Sequence, residues 1–374
     1  MKDSSGKNII FVNCDFLGDF IVSALRKIGV PEKDAQICAE VTLEASKRGI
    51  DSHGVERFKT FYYDRVRNGI QQAVTNFEII RQGPTTAVVD GNHGMGQVIA
   101  KKAMELAIKK AKKYGMGMVV VRNSTHYGIA GYYTELATKK DMIGISGTNT
   151  RPAVAPTFGV ENMLGTNPFA FGIPTDEEYP FVMDAATSLA QRGKIELYAK
   201  KGKKLPSGWV IDENGEILTD PQKALEGLTK GTAALTPMGG AHADGYKGYG
   251  YSTVVEILSA ALQQGSYMKM LTGLENGKKV PYRIGHFFIA IDLAAFDDPK
   301  KIKKTTGDIL RALRASKKMP GKDRIYTAGE IEYLTREQRI KDGIPVNRAL
   351  QKELLTIQQE QKLTQFIFPF EVKN

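Results

Sequence analysis

The alternation of apolar and polar positions divides the chain into an early helical stretch, a long middle of short strands and helices, and a helical tail. Phe16, Leu17, Phe20, Ile21 and Leu25 recur at helical spacing and predict a helix over 14–28. Pro31 lies just beyond it and starts a second, over 31–47. A third follows His53, carries Val55, Phe58, Phe61, Tyr62 and Val66 on its apolar face, and stops near Asn68-Gly69. The period then shortens. Strands at 77–81 and 86–90 flank a Gly83-Pro84 turn, and a helix over 97–114 leads into a strand at 117–121. A helix over 130–139 follows. Apolar strands beginning near Met142, Leu164 and Phe181 each end in small or polar residues. The remainder reads as a helix over 249–263, a buried strand at 287–291, a helix over 299–317 and a tail helix over 345–361. A β-loop-α-β unit inside such an alternation is the mark of an α/β protein.

That unit carries glycines at 91, 94 and 96, but their spacing is G-x-x-G-x-G, and the second strand ends in Arg122 with no acidic residue placed for a ribose. The dinucleotide fingerprint is therefore absent, and a tight turn seating helix on strand is the better reading, with His93 structural. Residues 199–235 change character. Lysines, Pro206, Gly208, Asn214-Gly215 and Asp220-Pro221, with Trp209 as the one large anchor, predict a lid-like excursion.

The densest chemistry lies in Arg48-Gly-Ile-Asp-Ser-His53-Gly-Val-Glu-Arg57-Phe58. Asp51 or Ser52 can cap a helix there, placing His53 in the first turn and Arg57 four residues on, toward one side. A proton carrier beside a planar cation suits a hydroxyl or carbonyl next to a carboxylate. A capped surface helix with a solvated arginine has the same pattern. His126 stands where a strand ends and a helix begins, a junction that gathers side chains and free N–H groups. Asp184 is either part of a cleft or the cap of the helix after it. The glycine-rich stretch 239–250, with Lys247, can seat a phosphate at a helix start.

Composition narrows these options. An apolar fraction of 42% and a charged fraction of 25% belong to a soluble globular protein. Two cysteines, Cys14 and Cys38, make no disulfide framework and have no metal spacing. The first apolar run is too short for a signal or membrane span, which points to the cytoplasm. The net charge of +11 comes from lysine clusters that read as solvated faces, part of which can steer anions. No nucleic-acid module appears.

Six segments, RGIDSHGVERF (48–58), NSTHYGIAGYY (123–133), GTNPFAFGIP (165–174), MDAATS (183–188), GWVIDENGEILTDP (208–221) and GYKGYGYS (245–252), resemble, in order, the malate/L-lactate dehydrogenase family of the second type. This family is unrelated to Rossmann-type malate dehydrogenases and includes sulfolactate, ureidoglycolate and diketogulonate dehydrogenases. The chain is most similar to its malate dehydrogenase-like branch. The resemblance implies a non-Rossmann mixed sheet with flanking helices. A helical N-terminal, orthogonal-bundle portion, 1–75, packs with the C-terminal helices of about 299–374, and residues 76–298 form the sheet domain. It further implies a homodimer, bound NAD or NADP, and no metal. By the same resemblance His126 exchanges a proton with the substrate oxygen, although in some members the residue matching His53 does so. Arg57 holds the carboxylate, with Ser52, Thr166 and Asn167 as further substrate contacts. Ser146, Asp184, Ala185, Thr187, Lys194, Lys247, Gly248, Gly329 and Glu330 match positions at or near the cofactor. Two departures stand out. The family's Pro-Gly-Glu is Ala328-Gly329-Glu330 here, and the stretch 238–244, with His242, matches nothing.

The expected reaction moves a hydride between NAD(P) and a small 2-hydroxy acid/2-oxo acid pair, first of all malate and oxaloacetate, with lactate, sulfolactate or ureidoglycolate as other choices. Two rival classes remain: a non-catalytic protein that binds anionic metabolites, and a polyanion binder using the lysine surface. The partners expected are the small acid alone, without nucleic acid or membrane.

Overall fold

The computed structural model describes residues 9–371, so the first eight residues of the N-terminal lead lie outside the described ones. Asn13 opens helix α1 (Cys14–Lys27): its Oδ1 accepts from Asp15 N at 2.8 Å and Phe16 N at 3.1 Å. Helix α2 (Glu32–Lys47) lies against it. Leu17, Phe20, Ile21 and Leu25 are buried in a cluster shared with Leu350, Leu354, Ile357, Phe366 and Phe368 from the far end of the chain. The Phe16 and Phe20 rings meet Phe366 and Phe368 edge-on, at 5.0–5.6 Å. Strand Ile10–Val12 pairs antiparallel with Ile344–Val346. Both ends of the chain thus share one core.

The centre is a seven-stranded sheet: β1 (Glu78–Gln82), β2 (Thr86–Asp90), β3 (Met116–Ser124), β4 (Met142–Thr148), β5 (Phe169–Ile173), β6 (Phe181–Ala185) and β7 (Ile284–Asp292), in the spatial order β1-β2-β3-β7-β4-β5-β6. Only β2 and β3 run parallel. The late strand β7 is antiparallel to both neighbours, pairing Phe288 with Val119 on one side and Ser146 on the other. The sheet is therefore mixed and flanked by helices, and it offers no row of parallel strand ends at which a Rossmann site forms. Helix α3 (Gly96–Tyr114), the crossover from β2 to β3, buries Ala100, Ala103, Ala107 and Ala111. Small side chains at this spacing bring it close to the sheet. Helix α4 (Ala130–Thr138) covers β4 and β5 on the same side.

The excursion at 199–235 is more than a lid. Helix α5 (Arg192–Lys200), strand Val210–Asp212, helix α6 (Pro221–Lys230) and strand Ala233–Leu235 close around their own apolar cluster, with Val154, Leu164, Ile195, Leu205, Val210 and Leu235 buried. The turn residues that suggested a loop mark the joints between these small elements. Helices α7 (Tyr246–Ala260), α8 (Pro299–Ala315), α9 (Glu330–Asp342) and α10 (Arg348–Glu360) complete the order. Among the described residues no helix is long and apolar enough to cross a membrane.

Candidate active site

The stretch after α2 is not a regular capped helix. Residues Asp51–His53 and Val55–Arg57 form two successive 3₁₀ turns without side-chain caps, and Phe58–Tyr63 is wound as π-helix. Asp51 instead binds the Arg339 guanidinium of α9, with Nη2 to Oδ2 at 3.1 Å. The wider π turns let Phe61 and Tyr62, although adjacent, both reach the His126 ring, at centroid distances of 5.0 and 5.7 Å. His53 stacks on His126 at 5.6 Å. Its Nδ1 lies 3.0 Å from Ser52 Oγ. Arg57 donates from Nε to Ser52 O at 2.9 Å and lies 5.4 Å from the Phe61 ring centroid. Arg57 forms no ion pair among the described residues. An early segment and the end of β3 thus meet in one cluster, with an uncommitted guanidinium beside two imidazoles.

The imidazoles are neutral near pH 7. Burial, helped by Arg57, lowers His53 to about 4. Burial, then His53 and Arg57, holds His126 far below the ordinary range. Neutral imidazole is the form that accepts a proton. Its seat depends on Gly96, where a side chain would run into the Thr125 and His126 carbonyls. The glycine run at 91–96 therefore packs α3 onto the turn that carries His126. His286 belongs to the frame. Thr148 Oγ1 donates to the Asn149 and Gly285 carbonyls at 2.9 Å, so His286 Nδ1–H donates to that oxygen at 2.8 Å and Ser124 Oγ–H donates to Nε2 at 2.8 Å. Burial takes this ring to about 3.

A separate cleft of about 690 Å³ starts at Ile50 and Ile129, each three residues along the chain from a site histidine, and runs to Tyr326 and Gly329; His53, Arg57 and His126 do not line it. Asp184 lines it and accepts from Gly131 N at 2.7 Å, so it caps α4 rather than the helix that follows it in sequence. Crowding by the cleft walls raises its carboxyl to about 6, against the pull of the Gly131 N–H and Arg48. Gly329, at φ +88°, lets the loop before α9 approach the Val182 backbone. Glu330 is fully buried and turns away from the cleft: it binds the Arg324 guanidinium and accepts from Thr327 N at 3.1 Å, shaping the loop. The two arginines of the cleft wall are paired. Arg48 binds Glu135 and Glu44, and Arg336 binds Glu44 at 2.9 Å. Burial alone would raise Glu44, but Arg336 and Arg48 hold it at about 2. Arg48 Nε and Tyr132 Oη are buried in the cleft wall with no hydrogen-bond partner among the described residues.

The other expected residues divide clearly. Ser146 is buried and donates to the Ala130 carbonyl at 2.9 Å, next to the Asp184 cap. Asn167 is not free to touch substrate. Its Oδ1 accepts from Thr150 N at 3.2 Å, and its Nδ2 donates to Ser252 O at 3.1 Å and to Glu256 at 2.7 Å. Thr187 is buried on the Thr166 and Asn167 carbonyls, and Thr166 lies half-buried beside it. Ala185 is half-buried at the end of β6. Gly248 packs on the Met238 backbone, and Met238 N donates to Thr187 O, so the unmatched stretch 238–244 ties α7 to this wall; His242 stays exposed. Lys247 and Lys194 are exposed. Lys194 follows Gly193, where an added Cβ would stand 3.8 Å from Arg57 Nη2, so α5 begins over the arginine. Two contacts of His126, Phe61 and Tyr62, read in the sequence only as an apolar helix face, because spacing carries no sign of a π turn.

A family model described as malate/L-lactate dehydrogenase matches residues 12–355. The malate dehydrogenase of Pyrococcus horikoshii is 43% identical over 350 residues, 93% of this chain and 94% of that protein. The L-sulfolactate dehydrogenase of Methanocaldococcus jannaschii is 41% identical over 339 residues, 90% of this chain and 93% of that protein. The crystal structure of malate dehydrogenase from Entamoeba histolytica superposes with a TM-score of 0.91 at 43% identity, covering 95% of this chain and 99% of that one.

Proposed function

Because the chain belongs to the malate/L-lactate dehydrogenase family, we propose that His126 and Arg57 together handle one small 2-hydroxy acid, malate first. The protein is a nicotinamide-dependent 2-hydroxy acid dehydrogenase. The observation that carries the residue assignment is the cluster of two neutral imidazoles with a guanidinium free of any carboxylate among the described residues.

Arg57 orients the substrate carboxylate by paired hydrogen bonds, its Nε already steadied by Ser52 O. His126 takes the hydroxyl proton at Nε2, which has no hydrogen-bond partner among the described residues, and returns it in the reverse direction. His53 keeps its ring against His126 and adds no positive charge. A bound nicotinamide would supply the hydride acceptor for the carbon whose hydroxyl His126 deprotonates. The cleft of about 690 Å³ is walled by Asp184 and Gly329, two positions expected at the cofactor, and has the volume for such a group, so the residues fit it. Asp184 and Gly329 would border it, Ala185 follows Asp184 in the chain, Ser146 holds the Ala130 carbonyl at the start of α4, and the exposed Lys194 and Lys247 would be cations for its phosphates.

The cleft wall favours NAD over NADP. Glu40, Glu178 and Glu332 line it and outnumber Lys139, while Arg48 and Arg336 are spent on Glu44 and Glu135. A 2′-phosphate would add negative charge among carboxylates. A homodimer is supported by α7, which exposes Tyr251, Val254 and Ile257 in one apolar stripe. Sedimentation at micromolar concentration should give twice the chain mass; a monomer would refute the dimer.

A panel of 2-oxo acids assayed at 340 nm with NADH and with NADPH tests the reading. Oxaloacetate should be reduced, with kcat/KM at least about tenfold higher for NADH, the cost of roughly one unfavourable charge contact. No turnover of any 2-oxo acid would return the protein to the class of non-catalytic anion binders.

A further inference from the structure

We propose that Tyr62 is a positioning residue that sets which nitrogen of His126 is free to work; this rests on the assignment of His126 as proton carrier. Tyr62 is fully buried, and its Oη lies 2.6 Å from His126 Nδ1. The same nitrogen faces Gly128 N–H at 3.3 Å. These two neighbours are chemically unequal. A backbone N–H can only donate, so by itself it demands a lone pair on Nδ1 and puts the ring proton on Nε2. In that tautomer Nε2 cannot accept the substrate proton. A phenol both donates and accepts. When Nε2 must act as base, the ring carries its hydrogen on Nδ1 and donates it to Tyr62 Oη. When Nε2 holds the proton, Tyr62 O–H turns to donate to Nδ1.

The proton balance follows. In hydroxy-acid oxidation the substrate O–H bond breaks and a new N–H bond forms at Nε2, leaving the ring protonated at both nitrogens. The Nδ1–H then needs an acceptor, and Tyr62 Oη supplies it. Tyr62 does not ionise, because burial raises its hydroxyl far above the ordinary phenol range. The charge therefore stays on the imidazole until solvent removes the proton. The role parallels that of a carboxylate behind a catalytic histidine, played here by a neutral group. The π-helical winding of 58–63 brings Tyr62 to the ring while leaving Phe61 at its edge.

Tyr62→Phe keeps the ring and its packing. With only Gly128 N–H left at Nδ1, kcat for malate oxidation should fall about 10²-fold, a wrong-tautomer cost, with KM for malate within about twofold. The acidic limb of the kcat/KM–pH profile should also move to lower pH, because the protonated ring loses its acceptor. The position of that limb does not depend on how much of the variant folds. A kcat within threefold of the parent overturns the proposal, and so does a lower kcat with the limb unmoved, since Tyr62 would then only pack. His126→Ala run in parallel separates the two levels. If it keeps full turnover, the proton-carrier assignment itself falls; if it collapses while Tyr62→Phe does not, only the role of Tyr62 falls.

Discussion

Two adjacent regions of the molecule treat charge in opposite ways. In and behind the cleft beside α4 and α9 the arginines have found carboxylates: Arg48 with Glu44 and Glu135, Arg336 with Glu44 and, outside the cleft lining, Arg339 with Asp51. A few residues away, Arg57 has none among the described residues, and two imidazoles beside it are held neutral by burial. Paired charges hold elements together: these join α2, α4 and α9 into one wall. An unpaired guanidinium next to desolvated imidazoles gives up folding stability and leaves a place for an anion. The difference separates framework from chemistry without reference to any relative.

The contrast can be broken or sharpened by experiment. The largest effect belongs to His126→Ala, which should lower turnover about 10²–10⁴-fold while the fold survives; turnover near the parent value with a collapse in His53→Ala would reverse the two roles. Arg57→Ala should follow, raising KM for oxaloacetate about 10- to 100-fold with a smaller change in kcat, as expected when a charge-assisted contact to the carboxylate is lost. Acid comes next. His286 protonates far less readily folded than unfolded, so the unfolded state takes up the proton first. Stability is therefore full above the ordinary histidine pKa and is lost as pH falls. Denaturant titrations should show about 2 kcal/mol lost between pH 6.5 and 5 from this ring alone. No loss in that interval would mean that the ring is charged in the folded protein. On the framework side, Arg48→Met should cost about 1–3 kcal/mol of folding free energy, read by denaturant midpoint, and leave the oxaloacetate KM within twofold. A large rise in that KM would erase the distinction between the two regions.

How much of this could be read from the sequence differs by element. Strands β2 to β4 and the crossover helix α3 follow from periodicity, because each buries one face, and β1, exposed throughout, follows from the turn at Gly83-Pro84 that pairs it with β2. The placement of β7 between β3 and β4 does not follow, since it depends on a strand more than a hundred residues downstream. Asp184 was open between cleft and cap, and it is both, but it caps a helix fifty residues earlier in the chain. His53 and Arg57 stood out by residue type, yet their geometry comes from 3₁₀ and π turns where four-residue α spacing was expected. Asn167 and Glu330 were expected at ligands and are committed to internal partners, a fate that only three-dimensional contacts disclose. Tyr62 was hidden because a tyrosine on an apolar face looks like core until its hydroxyl is found on a histidine.

The most direct test is a crystal structure with oxalate and the bound cofactor. One carboxylate should lie on the Arg57 guanidinium, with an oxygen of the other within hydrogen-bond distance of His126 Nε2. Oxalate held elsewhere, with Arg57 and His126 both untouched, would contradict the account.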